Sequence, residues 1–323
     1  MALVGFVDWR GNAIRKEVHG GVRAAWFLYV LTVVTNVVII PNLLNLVTYL
    51  HGTMHMGVSA SATTTTNFFG ATSGFAMIAA FLSDSYITRF RTMLLFGPFM
   101  FLGYGLLALQ AYLPSLRPPA CNIEAELNSC EVVHGWNATL LYTALYMTAF
   151  GDGFIRVCLP SLGADQFDHE DPSESRQQSS FFNWYTFGIS FGGFVGLILI
   201  VGIENYKGWD IGLGVCAILI LLGLLIVAAG FPFYCNQVPQ GSPLTRILQV
   251  VLLHIPGLQH NIPSQFSGNV LETLLNCNFA SPGFLWLHSG TGNLNFLKNL
   301  RKRRKAALGQ GHVLLMHSLK QIV

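Results

Sequence analysis

The sequence carries little charge for its length. Lys, Arg, Asp and Glu make up 10% of the 323 residues, whereas hydrophobic residues make up 52%. An ordinary soluble domain has about 25% charged residues, which keep its surface hydrated. A lipid bilayer is the solvent that fits this composition. The sequence therefore predicts an integral membrane protein, not a soluble domain or a nucleic-acid-binding protein.

Other familiar signals are also missing. The six cysteines include no Cys-x-x-Cys pair, so a zinc or redox site has little support. The amino-terminal segment has no apolar core, which argues against a cleaved signal peptide, and Ala2 stands where N-myristoylation requires glycine. His51 and His55 lie four residues apart but have no third ligand nearby. We therefore expect no enzymatic activity, no bound metal and no cofactor.

Six apolar stretches are each long enough to cross a bilayer, which takes about 20 residues. They run from about Ala24 to Leu50, Ala60 to Leu82, Thr92 to Leu113, Asn137 to Pro160, Ser179 to Val201 and Trp209 to Tyr234. Because hydrocarbon offers no water to free backbone groups, such stretches must be helical. The predicted fold is an all-α membrane protein with a cytoplasmic tail (1–23), a six-helix bundle (24–234) and a poorly ordered cytoplasmic tail (235–323).

The positive charges predict the orientation of these helices. With the amino terminus in the cytoplasm, sixteen of the 18 Lys and Arg residues fall on the inner side. Only Arg117 and Lys207 fall on the outer side. This asymmetry follows the positive-inside rule, so both termini are predicted to be cytoplasmic.

The outer loop between the third and fourth stretches contains two further candidate features. Cys121 and Cys130 lie in one polar segment that this topology exposes to an oxidising compartment, so they are candidates for a disulfide. Asn137 begins an Asn-Ala-Thr glycosylation sequon on the same side, at the edge of the membrane.

Glycine is abundant within the stretches. Gly188, Gly192 and Gly196 are spaced four residues apart in the fifth one, so they share one helix face. Small residues in this pattern let two helix backbones approach closely. Close packing is the main interpretation, and a hinge for conformational switching is the alternative.

Charged residues near the cytoplasmic side form two groups. After the second stretch, Asp84, Arg89 and Arg91 can form a charge latch between helix ends, or the two arginines can simply anchor the loop inside. In the fourth stretch, Asp152 and Arg156 share a helix face. Charged groups within a membrane indicate function by default, although both could instead reach towards the cytoplasmic surface.

The segment GDGFIRVCLPSLGADQFD, followed by SSFFNWYTFGISFGG, resembles the proton-coupled oligopeptide transporter family of the major facilitator superfamily. More narrowly it resembles the plant nitrate and peptide transporter branch, over about residues 15 to 250. The loop after the second stretch is similar to the loop signature of the superfamily. The resemblance implies alternating access between two six-helix bundles, driven by protons. It also implies that this chain is truncated to the amino-terminal six-helix half, followed by a tail (235–323) that does not belong to the family pattern.

The resemblance assigns roles to particular residues. Arg156 occupies the place of the family's fourth-helix lysine, and its fork suits nitrate or a carboxylate. Asn67, Trp184 and Tyr185 would line the same substrate cavity, although the two aromatic residues could instead be interface anchors.

The first helix departs from the family pattern. Thr32, Thr35 and Asn36 stand where the family often has two acids and a base. Either proton coupling uses another site, or transport is not driven by protons in the usual way. Asp152 is the only acid well inside a predicted span, which makes it the candidate for the first alternative.

We therefore predict secondary transport of a small anionic or zwitterionic solute, of the nitrate or di/tripeptide class. The alternative is a truncated, non-transporting isoform that interacts with a full-length transporter. The expected partners are the lipid bilayer, the solute, protons and either a second copy or a full-length relative, with no nucleic acid. The plasma membrane is the expected location, and the vacuolar membrane is the alternative.

Overall fold

A computed structural model describes residues 6–8, 10–12, 14, 19–119, 130–168 and 171–238. The chain divides into two units, 1–249 and 250–323, and all described residues belong to the first. They contain seven α-helices: α1 (Gly21–Gly52), α2 (Val58–Ser85), α3 (Arg89–Phe96), α4 (Pro98–Tyr112), α5 (Gly135–Ala164), α6 (Pro172–Lys207) and α7 (Trp209–Ala229). Two short strands, β1 (Phe6–Val7) and β2 (Asn236–Gln237), pair antiparallel. The described part of the chain is therefore almost entirely helical.

Each predicted apolar stretch lies in a helical region, but the third is not one continuous helix. Helix α3 ends at Phe96 and α4 begins at Pro98, but together Arg89–Tyr112 is long and apolar enough to cross a membrane, so the predicted span from Thr92 to Leu113 is present with one break. Proline has no backbone N–H and is favoured at the first position of a helix, so it starts α4. Gly97 between them keeps helical backbone angles (φ −55°, ψ −41°), so the break is short.

Among the described residues, four helical segments are long and apolar enough to cross a membrane. They are Gly21–Gly52, Arg89–Tyr112, Pro172–Lys207 and Trp209–Phe233. Helix α2 begins with a run of Ser and Thr residues, and α5 contains both Asp152 and Arg156. Those polar residues account for the weaker apolar character of α2 and α5.

Glycines bring α6 into close contact with α1. A Cβ atom added at Gly192 would lie 2.6 Å from the carbonyl oxygen of Val33, and one at Gly196 would overlap the carbonyl oxygen of Val37. A Cβ at Gly188 would meet the Thr32 methyl group at 3.5 Å. The prediction that these three glycines form a close-packing face is therefore confirmed.

The main apolar core lies among α1, α4, α5 and α7. Its fully buried side chains include Leu28, Leu31, Met100, Leu141 and Ile220. Helix α2 packs on α5, where a Cβ at Gly153 would lie 2.8 Å from the Thr72 carbonyl oxygen. This arrangement encloses one side of α5 within the bundle, which determines the surroundings of its charged residues.

Candidate functional site

Asp152 and Arg156 form an ion pair on one face of α5. Arg156 Nη2 donates to Asp152 Oδ2 over 2.9 Å, across one helical turn. The Asp152 side chain is 3% exposed, whereas the Arg156 side chain is 52% exposed. The predicted shared face is confirmed, and Asp152 does not reach towards solvent.

Two glycines on either side of Asp152 explain its burial. A Cβ at Gly151 would overlap the Met100 backbone of α4, and Gly153 contacts α2 at Thr72 and Ala76. Because both neighbouring helices approach the α5 backbone at Gly151 and Gly153, protein encloses the Asp152 side chain. An isolated buried carboxylate is costly in such surroundings, so the Arg156 contact stabilises the charged form.

A small cavity inside the bundle adjoins Asp152. Its volume is about 30 Å³, and an ordered water needs at least about 10–15 Å³ by the same measure, so about two waters fit. Most of its lining is apolar, with Leu46, Leu107, Leu145 and Leu213 among the lining residues. Side chains with polar groups on the wall include Asn42, Tyr49, Tyr104, Thr148 and Asp152. Asp152 therefore lies between a mostly apolar cavity and the exposed cation Arg156.

Of the three other predicted substrate-binding residues, one is partly buried and two lie on exposed helix faces. Tyr185 on α6 is partly buried and lies within electrostatic range of Arg156 and Asp152. Trp184 is 59% exposed and packs edge to face on Phe187, with ring centroids 5.6 Å apart. Asn67 is exposed on α2. Within the described ranges, Tyr185 is brought near the ion pair, whereas no hydrogen bond joins Asn67 or Trp184 to it.

The uncharged positions of α1 have their polar hydrogens bound within their own helix. The hydroxyl of Thr32 donates to the Leu28 carbonyl over 2.8 Å, and Thr35 donates to Leu31 over 2.8 Å. Asn36 donates back to the carbonyl of Thr32 over 2.8 Å. Threonine and asparagine side chains do not ionise in water, so these positions cannot bind and release a proton.

Arg89 joins the end of α2 to the end of α5. Its Nη1 lies 2.5 and 2.6 Å from the two carboxylate oxygens of Asp165, and its Nη2 lies 3.1 Å from Asp84. The predicted pairing of Asp84 with Arg89 is present, but sequence reasoning missed Asp165, which makes the closer contact. Arg91 is exposed on α3. A signal for Asp165 was available, because it lies in the Gly-Ala-Asp-Gln-Phe motif at the end of α5.

The next residue of that motif, Gln166, ties three segments together. Its backbone oxygen accepts from the N–H of Gly21, its side-chain oxygen accepts from the N–H of Cys235, and its amide donates to the Cys235 carbonyl. Burial, together with the negative charges of Asp165 and Glu174, raises the pKa of the Cys235 thiol to about 12. The thiol is therefore protonated at neutral pH.

The outer-loop predictions lie partly outside the described residues. Cys130 is disulfide-bonded, and its predicted partner Cys121 lies outside the described ranges. Asn137 lies in the first turn of α5, where its side chain donates to the Ser115 carbonyl over 3.2 Å. Its backbone oxygen accepts from Gln110 over 2.8 Å.

A second buried acid, Glu204, lies in the last turn of α6 and is 2% exposed. The predicted fifth stretch ended at Val201, whereas α6 continues to Lys207. The expectation that Asp152 is the only acid well inside a span is therefore incomplete. Hydropathy alone ended the stretch too early, because the polar sequence Glu-Asn-Tyr-Lys follows the apolar run.

The apolar helices and the site define a helical membrane protein with a buried acid, an exposed cation and a charge cluster at the helix ends. A family profile described as PTR2, POT family, matches residues 90–286. The chain therefore belongs to the POT family. This match extends into residues that the sequence analysis assigned to the carboxyl-terminal tail.

Two relatives from Arabidopsis thaliana illustrate the extent of the similarity. NRT1/PTR FAMILY 4.6 is 42% identical over 248 residues, which cover 77% of this chain and 42% of that protein. NRT1/PTR FAMILY 4.2 is 31% identical over 306 residues, covering 94% of this chain and 56% of that protein. The chain thus spans about half the length of these relatives, or less.

The fold is shared with solved structures of this family. The POT family transporter PepTSo superposes with a TM-score of 0.58 at 17% identity, covering 73% of this chain and 43% of that one. The family and these structural neighbours are transporters, not enzymes.

Proposed function

We propose that this chain provides a six-helix bundle of a secondary transporter for a small anionic or zwitterionic solute, of the nitrate or di/tripeptide class. In this proposal α1, α2, the α3–α4 pair, α5, α6 and α7 each cross the bilayer, and both termini are cytoplasmic. The observation that supports it most directly is the asymmetric pair of Asp152 and Arg156. It holds a cation at an exposed helix face while its partner remains buried.

The proposed role of Arg156 is to bind the anionic group of the solute. One guanidinium nitrogen contacts Asp152, and half of the side chain remains exposed. The planar fork of arginine can pair with both oxygens of nitrate or of a carboxylate. Tyr185 lies close enough to influence the same charge, so it is the strongest of the predicted cavity-lining residues. Asn67 and Trp184 are weaker candidates for cavity lining.

The proposed role of Asp152 is to couple protons to this binding. Arginine keeps its proton at physiological pH, so only the carboxyl of the pair can exchange one. When Asp152 takes up a proton, the positive charge of Arg156 is no longer neutralised and attracts an anion more strongly. A proton and an anion then bind together, which is the requirement for symport.

The charge cluster of Asp84, Arg89 and Asp165 is proposed to act as a cytoplasmic latch, with Arg91 beside it. It holds the amino end of α3 to the carboxyl end of α5 through contacts of 2.5 and 2.6 Å. Rearrangement of these helix ends would have to break a charge-assisted, two-point contact. The latch therefore provides a discrete closed state.

The chain matches 42% of NRT1/PTR FAMILY 4.6, and a single bundle supplies only one wall of a cavity between two bundles. We propose that a second copy or a longer relative supplies the second wall, in the plasma membrane or in the vacuolar membrane. The alternative function is regulation, in which the chain associates with a full-length transporter without carrying solute itself.

Uptake measurements in oocytes or liposomes test the proposal. Nitrate and a dipeptide are each supplied, with Arg156→Ala as the test variant and Arg117→Ala as a cation control outside the helices. We expect uptake that is lost in Arg156→Ala and retained in Arg117→Ala. Uptake at background level, combined with altered transport by a co-expressed full-length relative, would support the regulatory function instead. If the chain neither takes up solute nor alters transport by the relative, both functions are contradicted.

A further inference from the structure

Glu204 is a buried carboxyl group that the proposed transport cycle does not use. It lies in the last turn of α6 and is 2% exposed. Oε2 accepts a hydrogen bond from Asn45 Nδ2 of α1 over 2.8 Å, and Oε1 is buried with no hydrogen-bond partner. Gly212 of α7 makes room for this side chain, since a Cβ there would come within 2.5 Å of Glu204 Cγ. Three helices thus meet around one carboxyl group.

The charges around Glu204 do not favour its ionised form. Asn45 is neutral, and in the described part of the chain neither an Arg or Lys side chain nor a backbone N–H pairs with Glu204. Lys207 is close to Glu204 in sequence, but it is exposed. The titratable groups within electrostatic range are the thiol of Cys216 on α7 and the hydroxyl of Tyr104 on α4, both of which become negative when they ionise.

A buried carboxylate with one neutral hydrogen bond and one bare oxygen is costly, and such a group takes up a proton instead. Protonation turns one carboxylate oxygen into an O–H group. It also removes the negative charge, which would otherwise require hydration. Ionisation would draw water between the helices and weaken the contact of α6 with α1 and α7. The state of Glu204 is therefore linked to the packing of these helix ends.

We propose that Glu204 is a proton-binding site that locks the carboxyl end of α6 against α1 and α7, and that loss of this proton loosens the three helices. The ligand is a proton from the aqueous phase. The site is separate from the Asp152–Arg156 pair, because the acid lies on α6 and its hydrogen-bond partner lies on α1. It goes beyond the proposed transport function, and it does not require that the chain move a solute.

Infrared difference spectroscopy of the purified full chain in lipid nanodiscs tests this site directly. As the pH is raised, we expect the C=O stretch of a protonated carboxyl to disappear in wild-type protein. Glu204→Gln should lack this change because the amide cannot ionise. Glu131→Gln, which alters an exposed acid, and Asp152→Asn, which alters another buried acid, should both retain it. An unchanged difference band in Glu204→Gln would overturn the proposal.

Glutamate-specific isotope labelling of wild-type protein provides the same test without a substitution, in case Glu204→Gln does not fold. One glutamate carboxyl should titrate separately from the exposed ones, and Asp152 carries no label in this sample. Absence of a separately titrating glutamate would overturn the proposal. Both spectra are recorded without transport, so they do not depend on whether the chain takes up solute. A failure of the transport function is therefore distinguishable from a failure of this site.

Discussion

Arg156 donates to Asp152 over 2.9 Å, yet the two side chains differ greatly in exposure, at 52% and 3%. The buried carboxylate of Asp152 is thus paired with a guanidinium group of Arg156 that remains half exposed to solvent. Removing either partner leaves the other in very different surroundings. The effects of the two single substitutions should therefore be unequal.

Arg156→Ala should destabilise the protein more than Asp152→Asn. The first change leaves a buried carboxylate without its cation, which costs about 3 kcal/mol in typical buried pairs. The second leaves an exposed guanidinium that water can solvate, at about 1 kcal/mol. Thermal unfolding in detergent compares the two variants under identical conditions.

The double variant Asp152→Asn with Arg156→Ala provides the matched control for this pair. It removes the carboxylate that Arg156→Ala leaves unpaired, so it should unfold at a higher temperature than Arg156→Ala alone. Additive losses in the double variant would contradict the view that the exposed cation stabilises a buried anion.

Gly196→Ala should weaken the contact between α1 and α6. The added methyl group would overlap the carbonyl oxygen of Val37, and the helices must separate to accept it. Overpacking of this kind costs about 1–3 kcal/mol. Gly202→Ala in the same helix has nothing within 4 Å and should be neutral or slightly stabilising, because alanine favours the helix. Equal thermal stability of the two variants would argue against close packing at Gly196.

Asp165→Asn should loosen the junction of α3 with α5 more than Asp84→Asn does. Asp165 makes two contacts with Arg89 and is 9% exposed, whereas Asp84 makes one contact of 3.1 Å and is 29% exposed. Hydrogen–deuterium exchange of the α3 amides measures the difference, with faster exchange expected for Asp165→Asn. The reverse order would show that Asp84 makes the dominant contact.

The Cys235 thiol should resist alkylation at neutral pH. Its pKa is raised to about 12 by burial and by the charges of Asp165 and Glu174, so the reactive thiolate is scarce below that pH. Iodoacetamide labelling followed by mass spectrometry should find Cys235 unmodified in native protein and modified after denaturation. The rate should rise as the pH approaches the raised pKa. Rapid native labelling at neutral pH would show that this segment is more open than the structure indicates.

Much of the helical fold follows from local sequence. The length of each apolar stretch predicted a helix, and a helical region lies at each of these positions. The spacing of Gly188, Gly192 and Gly196 predicted a packing face. Hydropathy did not predict the break before Pro98, because it measures side-chain polarity and not the missing backbone N–H of proline. The carboxyl end of α6 was missed because Glu204 is buried by α1 and α7, which are remote in sequence. Likewise, Asp165 meets Arg89 across 76 residues of sequence.

The sequence by itself determined the helical membrane character, the family and the pairing of Asp152 with Arg156, because length, composition and one-turn spacing are local properties. Only the tertiary structure shows which member of that pair is buried, that Asp165 pairs with Arg89 and that Glu204 is enclosed. Those outcomes depend on how closely helix backbones approach one another. That distance is set by glycines and side chains on different helices, so no single segment of the sequence contains it.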